Sequence, residues 1–312
     1  MGASLRAVRK DLDQNVLKGV SRSFYLTLRL LPAPMRDAAN LGYLLARTSD
    51  TLADSAAIPV ADRLRGLDEF GRAVALDGDA PCWPSGVMEA VEDPRERWLL
   101  ACSAAVFEGL WALPEGEADL VREVLAVIVS GQKLDLVRFG AATAEAPIAL
   151  PDEAALEDYA WRVAGCVGEF WTRLGFATLG GNFSTAPEAE LLRRGRSYGV
   201  GLQLVNILRD LPADLATGRC YLPVADPGDR EALMLGHAEW VARAFRCVAE
   251  GRVYAGTLTT RRLRAATVLP SLIADQTLTQ LRNATWETLQ TRIKIPRSAV
   301  YRALIQAFFQ KL

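Results

Sequence analysis

The chain has 312 residues, half of them hydrophobic, and its 36 basic and 37 acidic side chains leave a formal net charge of −1. That balance supplies no basic field for a phosphate backbone, which excludes nucleic acid as a partner class. A single histidine, His237, argues against histidine metal sites and Ser-His-Asp hydrolysis, and five scattered cysteines (Cys82, Cys102, Cys166, Cys220, Cys247) without CxxC spacing read as free thiols of a reducing cytoplasm.

The opening stretch, MGASLRAVRKDLDQNVLKG, carries charges throughout and lacks the apolar core of a signal peptide. No apolar run reaches the roughly 20 residues needed to cross a bilayer, so the expectation is a soluble protein still able to touch a membrane surface. Helical periodicity dominates the rest. Pro34 suits the first turn of a helix that runs through MRDAANLGYLLARTSDTLADS, with Leu41, Leu45 and Leu52 on its apolar side. Further helices are expected over 59–76, 94–112, 117–138, 152–180, 187–211, 229–252, 260–292 and 296–311. Breaks fall at Asp77-Gly-Asp-Ala-Pro81, Leu113-Pro-Glu-Gly116, Gly180-Gly-Asn182 and Asp226-Pro-Gly228. Strand alternation is scarce and no strand precedes a GxGxxG, which disfavours a Rossmann fold. Without an internal repeat, a low-complexity tract or a linker, the expectation is one all-α domain spanning 1–312.

Two acidic stripes stand out: Asp50-Thr-Leu-Ala-Asp54 and Asn206-Ile-Leu-Arg-Asp210-Leu-Pro-Ala-Asp214. Oxygen-bearing side chains recur every four residues in each, which on a helix stacks them on one face. Stacked carboxylates repel one another unless a hard cation neutralises them, and Mg²⁺ commonly bridges a few carboxylates to a substrate phosphate. Two such helices facing each other would clamp a diphosphate. In the first stripe Tyr43, Arg47, Asp50 and Asp54 follow i, i+4, i+7 and i+11. The plainer alternative is an exposed helix with an Arg47–Asp50 pair of little worth. In the second, Gln203, Asn206 and Asp210 follow i, i+3 and i+7, and Arg209 can bind a phosphate with its planar fork. Pro212 has no N–H to give the carbonyl of Leu208, so the helix is expected to end or kink there and Asp214 to lie off i+4 geometry.

A third segment runs Asp158-Tyr-Ala-Trp-Arg-Val-Ala-Gly-Cys-Val-Gly168. Tyr159, Val163 and Val167 share a face at helical spacing, while Ala164, Gly165 and Gly168 keep the adjoining surface low. A helical glycine costs about 1 kcal/mol relative to alanine, so something must compensate. Close helix packing is one explanation; room for a bulky apolar chain is the other.

Ser21-Arg-Ser-Phe24, Arg47-Thr-Ser-Asp50-Thr-Leu-Ala-Asp54, Tyr159-Ala-Trp-Arg-Val-Ala-Gly165 and Gly201-Leu-Gln-Leu-Val-Asn-Ile-Leu-Arg-Asp210, in that order, resemble the motifs of the squalene/phytoene synthase family of head-to-head isoprenoid synthases. The resemblance spans roughly residues 15 to 225, and Leu263-Arg-Ala-Ala-Thr-Val-Leu-Pro270 adds a weaker familial segment. It implies an all-α isoprenoid-synthase bundle with a central cavity and several Mg²⁺ ions. By motif position, Asp50, Asp54, Asn206, Asp210 and Asp214 would hold metal. Ser21, Arg22, Ser23, Tyr43, Arg47, Gln203 and Arg209 would contact diphosphate or its shell. Tyr159 matches the family's active-site tyrosine, and Phe24, Val163 and Val167 would line prenyl channels. Two departures are Ala53, where many relatives carry an acidic residue, and Pro212. The resemblance further implies condensation of two prenyl diphosphates. The Asp-Thr-x-x-Asp form of the first motif looks more like squalene synthases, which take farnesyl diphosphate and use NADPH, than like phytoene or dehydrosqualene synthases, which use no reductant. A head-to-tail prenyltransferase and a non-catalytic relative acting in binding or assembly are the competing classes; the Ser21 and Tyr159 motifs speak against the former, the full ligand set against the latter.

Overall fold

A computed structural model describes residues 24–76, 78–291 and 293–309. The fold is all-α, and its contacts divide it into two units: residues 1–137 with 177–179, and residues 138–176 with 180–312.

In the first unit the described helices are α1 (Phe24–Leu30), α2 (Ala33–Asp54), α3 (Val60–Ala75), α4 (Val87–Ala90), α5 (Pro94–Ala101), α6 (Ser103–Trp111) and most of α7 (Glu115–Phe139). The N-terminal prolines behave as helix starters: Pro32 precedes α2 and Pro34 occupies its first turn, where no N–H is missed. Leu41, Leu45 and Leu52 are buried as their spacing predicts, and α2 packs on α3, α5 and α6. Phe70 and Phe107 meet edge-on, with centroids 5.4 Å apart, in this core. The helix expected over 94–112 is two helices. Asp93 caps the first, accepting from Arg95 N, and Cys102 at φ −96° and ψ 6° interrupts the ladder before the second.

The second unit holds α8 (Glu153–Ala160), a π-helical turn (Trp161–Gly165), most of α9 (Cys166–Leu179), α10 (Glu188–Leu215), α11 (Arg230–Gly256), α12 (Arg261–Arg282), α13 (Trp286–Gln290) and α14 (Arg297–Phe309). The long helix expected over 260–292 breaks at Asn283–Thr285, where Thr285 caps α13 by accepting from Thr288 N. A two-residue parallel pair, β1 (Ile148–Ala149) and β2 (Arg219–Cys220), closes a loop after α10. Gly218 enters it at φ +85°, with the Thr143 backbone where a Cβ would stand. Leu204, Val205, Leu208 and Leu211 of α10 bury into one core with Leu233, Trp240, Val241 and Val248 of α11.

Glycines set the closest approach in this unit. A Cβ on Gly168 would sit 1.9 Å from the Gly195 carbonyl oxygen, and one on Gly199 would sit 2.2 Å from the Ala164 carbonyl oxygen. The space beside Gly168 is therefore filled by the backbone of α10, which decides between the two explanations of these glycines in favour of close packing.

Candidate active site

On α2 the packed leucine face fixes the orientation of the other face. Tyr43, Arg47 and Asp50 are half-buried, and Asp54 is exposed. Buried hydroxyls between them return to the helix, Thr48 Oγ1 donating to Leu44 O at 2.8 Å and Thr51 Oγ1 to Arg47 O at 2.9 Å. Two groups from outside the motif hold its charges. Gln132 of α7 donates through Nε2 to Asp50 Oδ1 at 2.5 Å and to Ser49 Oγ at 3.0 Å. Glu96 of α5 accepts from Arg47 Nη2, while Arg47 Nη1 stands 3.9 Å from Asp50 Oδ2.

These surroundings push the Asp50 carboxyl up to about 6. Burial is the main cause and the Asp54 charge the next, with Arg47 and Gln132 pulling the other way. Burial opposes the charge on Arg47, but the hydrogen bond and charge of Glu96, with help from Asp50, leave its pKa above the ordinary value. Glu96 and Gln132 escaped the sequence reading: a glutamate in a first helical turn and a lone glutamine carry no local signal of what they reach.

In the second acidic segment the structure corrects one expectation. α10 runs through Pro212 to Leu215, so Asp214 stays in the helix, four residues after Asp210. Asn206 is exposed, with Asp210 and Asp214 half-buried. Asn206 Nδ2 reaches Gln203 Oε1 at 3.4 Å. Arg209 forks onto Asp210, Nε to Oδ1 at 2.9 Å and Nη2 to Oδ2 at 2.5 Å. Arg219 Nη2, carried back by β2, lies 3.7 Å from Asp214 Oδ1.

The third segment contains the π-turn. In a π-turn the residues that stack are five apart rather than four, so the straight stripe expected of Tyr159, Val163 and Val167 is interrupted there. Val163 and Val167 are half-buried. Tyr159 stacks on Tyr221, with centroids 4.8 Å apart and planes 19° from parallel, and donates to its hydroxyl at 3.4 Å. Phe139 meets Tyr221 edge-on at 5.2 Å. Tyr221 was not singled out in the sequence, since nothing in its spacing relates it to Tyr159, 62 residues earlier. Of the first motif, Ser21, Arg22 and Ser23 lie outside the described residues, as does the side chain of Phe24, whose backbone opens α1.

Among the described residues no three His, Cys, Asp or Glu side chains converge on one point. The donor set still suits Mg²⁺, which takes one or two carboxylates and completes its shell with water and phosphate oxygens.

A family model described as squalene/phytoene synthase matches residues 17–299. The chain is 30% identical to a presqualene diphosphate synthase of Zymomonas mobilis over 68% of its own length and 60% of that protein's. It is 34% identical to a bifunctional lycopene cyclase/phytoene synthase of Colletotrichum graminicola over 65% of its own length and 32% of that protein's. The chain thus spans less than two thirds of the length of these relatives. Similarity to a squalene synthase of Schizosaccharomyces pombe is lower, 25%, but extends over 96% of this chain and 66% of the other. The solved structure of TcSQS with a ligand shares the fold, with a TM-score of 0.79 at 24% identity over 95% of this chain and 85% of that one.

Proposed function

The chain belongs to the squalene/phytoene synthase family, and from that premise we propose that it joins two farnesyl diphosphates head to head and reduces the resulting presqualene diphosphate to squalene with NADPH. One observation carries the site assignment: in each acidic segment an arginine already engages the leading aspartate, Arg47 beside Asp50 and Arg209 forked on Asp210. A carboxylate and a phosphate offer a guanidinium the same bidentate geometry. On meeting a diphosphate, Arg209 can exchange Asp210 for phosphate oxygens, which frees the aspartate for a cation, while Arg47, held by Glu96, stands 3.9 Å from Asp50. Asp50 and Asp54 in the first unit, and Asn206, Asp210 and Asp214 in the second, would hold Mg²⁺, whose chemistry is the electrophilic neutralisation of a departing diphosphate.

The remaining roles follow from what the side chains are. Ser21, Arg22, Ser23, Tyr43 and Gln203 bind or orient the diphosphate, and Phe24, Val163 and Val167 line the prenyl chains. The stacked Tyr159 and Tyr221 offer π-faces that favour a cation and no strong nucleophile to trap it. In this reading Tyr159 Oη, hydrogen-bonded to Tyr221, holds a proton. Excluding water keeps the cation from being quenched. The two units act as one synthase domain in this reading, in the cytoplasm. No helix among the described residues is long and apolar enough to cross a membrane. Tyr301, Ile305 and Phe309, exposed at four-residue spacing on α14, fit release of an apolar product at a membrane surface.

A second reading, in which the chain stops at presqualene diphosphate, is favoured by its identity to presqualene diphosphate synthases. The near-full-length similarity to a squalene synthase favours the first. Incubation of purified protein with Mg²⁺ and farnesyl diphosphate, with and without NADPH, separates them. Squalene is expected only with NADPH, and presqualene diphosphate without it. A product profile indifferent to NADPH establishes the second reading, and a preference for geranylgeranyl diphosphate yielding phytoene overturns the chain length.

Arg209→Lys keeps the charge and loses the fork. Turnover is expected to fall about 10- to 100-fold, less than for complete loss of a preorganised donor, with the melting temperature within about 2 °C of wild type. A large loss of stability with normal kinetics would instead make Arg209 a structural partner of Asp210.

A further inference from the structure

One face of α7 is a core stripe at helical spacing, in which Val121, Leu125, Ile128, Val129 and Leu136 are all buried. Gln132 stands in that stripe, three residues after Val129 and four before Leu136, and is itself only 7% exposed. A leucine or methionine there would bury as much area with no polar atom to satisfy. The glutamine strands one, because its Oε1 is buried without a hydrogen-bond partner. Such an orphan costs about 1–3 kcal/mol. The reason for a carboxamide at this place lies at its other end.

Gln132 Nε2 donates to Asp50 Oδ1 at 2.5 Å and to Ser49 Oγ at 3.0 Å, so both of its hydrogens are committed to consecutive residues of α2. Ser49 fixes which end of the carboxamide faces that helix. Its hydroxyl hydrogen goes to Ala46 O at 2.9 Å, which leaves only lone pairs toward Gln132, and only the NH₂ end can meet them. The direction of the chain from Gln132 to Ser49 to Ala46 therefore obliges Gln132 to donate to Asp50 as well. The second oxygen of Asp50 is left otherwise. Oδ2 accepts no hydrogen bond among the described residues; Arg47 Nη1 stands 3.9 Å from it, and Arg47 is held by Glu96. Asp210 shows no such division, since Arg209 takes both of its oxygens.

We propose that Gln132 is the positioning residue of the first acidic segment: its carboxamide ties Asp50 Oδ1 to α7 and so presents Oδ2, in one orientation, as the oxygen that receives a cation. The role rests on the metal-binding reading of Asp50 and is independent of which prenyl product is made. A carboxylate free to turn about its last bond must be stilled when a cation binds. A hydrogen bond already in place removes that cost before the cation arrives.

The test is a small set of variants read in three ways. Gln132→Met keeps a flexible side chain of similar volume and removes both N–H groups. Ser49→Ala removes the other acceptor and leaves the bond to Asp50. Asp50→Asn, alone and combined with Gln132→Met, closes a double-mutant cycle. The first readout is Mn²⁺ binding in the presence of inorganic diphosphate, followed by loss of the free-ion electron paramagnetic resonance signal. The second is the Mg²⁺ concentration giving half-maximal turnover of farnesyl diphosphate, beside the KM for that substrate, and the third is the melting temperature. Gln132→Met is expected to weaken Mn²⁺ binding and raise the Mg²⁺ requirement about tenfold, with the KM changed by less than about threefold. Its melting temperature should lie no more than about 3 °C below wild type, because the stranded Oε1 leaves with the donors. Ser49→Ala should weaken Mn²⁺ binding by less than about threefold. In the Asp50→Asn background, Gln132→Met should change Mn²⁺ binding by less than about twofold. An undiminished loss in that background, or a large fall in melting temperature with Mn²⁺ binding intact, overturns the proposal. A Gln132→Met protein that fails to fold while Ser49→Ala folds makes Gln132 a packing residue and overturns it too. Wild-type protein that binds no Mn²⁺ with diphosphate removes the metal reading and this role with it; wild-type binding that Gln132→Met leaves unchanged removes the role alone.

Discussion

Replacing Asp50 with Asn is expected to stop turnover and, at neutral pH, to make the protein more stable. The first half follows from charge. A carboxamide keeps an oxygen but loses the negative charge that draws a divalent cation and repels nothing once the cation is bound, so a fall of about a thousandfold is expected. The second half follows from the same environment read without metal. Burial, then Asp54, push Asp50 up to about 6 in the folded protein, whereas an unfolded chain titrates aspartate at about 3.9. Between those values the folded state binds the extra proton, so stability falls as pH rises from about 4 to about 6 and stays low above it. A shift of about 2 units has an upper limit near 3 kcal/mol. The side chain presents 44% of its surface to solvent, and screening reduces the expected gain at pH 7 to about 1 kcal/mol. Asn cannot titrate, so its advantage should vanish below about pH 4. Thermal melts of both proteins at pH 4 and pH 7, beside turnover with Mg²⁺ and farnesyl diphosphate, check both halves. Turnover by Asp50→Asn near the wild-type rate, or undiminished turnover of the wild type in excess EDTA, would remove the metal from Asp50.

What could be read from the chain depended on the range of the interaction involved. The stripe Tyr43, Arg47, Asp50 and Asp54 was legible because one helix sorts its own faces: Leu41, Leu45 and Leu52 bury, and the other side is left to chemistry. The partners of that stripe were not legible, because they come from afar. Glu96 reaches Arg47 across 49 residues and Gln132 reaches Asp50 across 82. Neither has a spacing that announces it. Pro212 shows the same limit from the other direction. Local rules end the helix there, and they are correct about the missing N–H; α10 nonetheless runs on to Leu215, with Leu208 and Leu211 buried in the core it shares with α11. The interruption at Cys102 and the gap at Asn283–Thr285 were missed for a smaller reason. Both fall inside runs whose apolar periodicity continues across the break, and only the cap at Thr285 marks the second one.

The glycines of the Tyr159 segment give the second large expected effect, because there the two explanations predict opposite outcomes. If Gly168 left room for a bulky apolar chain, alanine would cost little stability and would narrow the choice of substrate. The structure instead puts the Gly195 carbonyl oxygen 1.9 Å from where an alanine Cβ would stand, and a Cβ on Gly195 would stand 2.6 Å from the Gly168 carbonyl oxygen. Both partners are backbone, so no rotamer change relieves the contact, and α9 and α10 must move apart. Overpacking of a tight core costs about 1–3 kcal/mol even where side chains can yield. Gly168→Ala is accordingly expected to cost about 3 kcal/mol, lowering the melting temperature by roughly 6–12 °C. Gly71 of α3 is the control, since nothing lies within 4 Å of its added Cβ. Gly71→Ala should raise stability by up to about 1 kcal/mol through helix propensity alone. The displacement at Gly168 would also carry through the π-turn to Tyr159, so surviving Gly168→Ala protein should lose turnover for every prenyl chain length alike. A variant of undiminished stability that accepted only shorter prenyl diphosphates would return the glycines to the substrate channel.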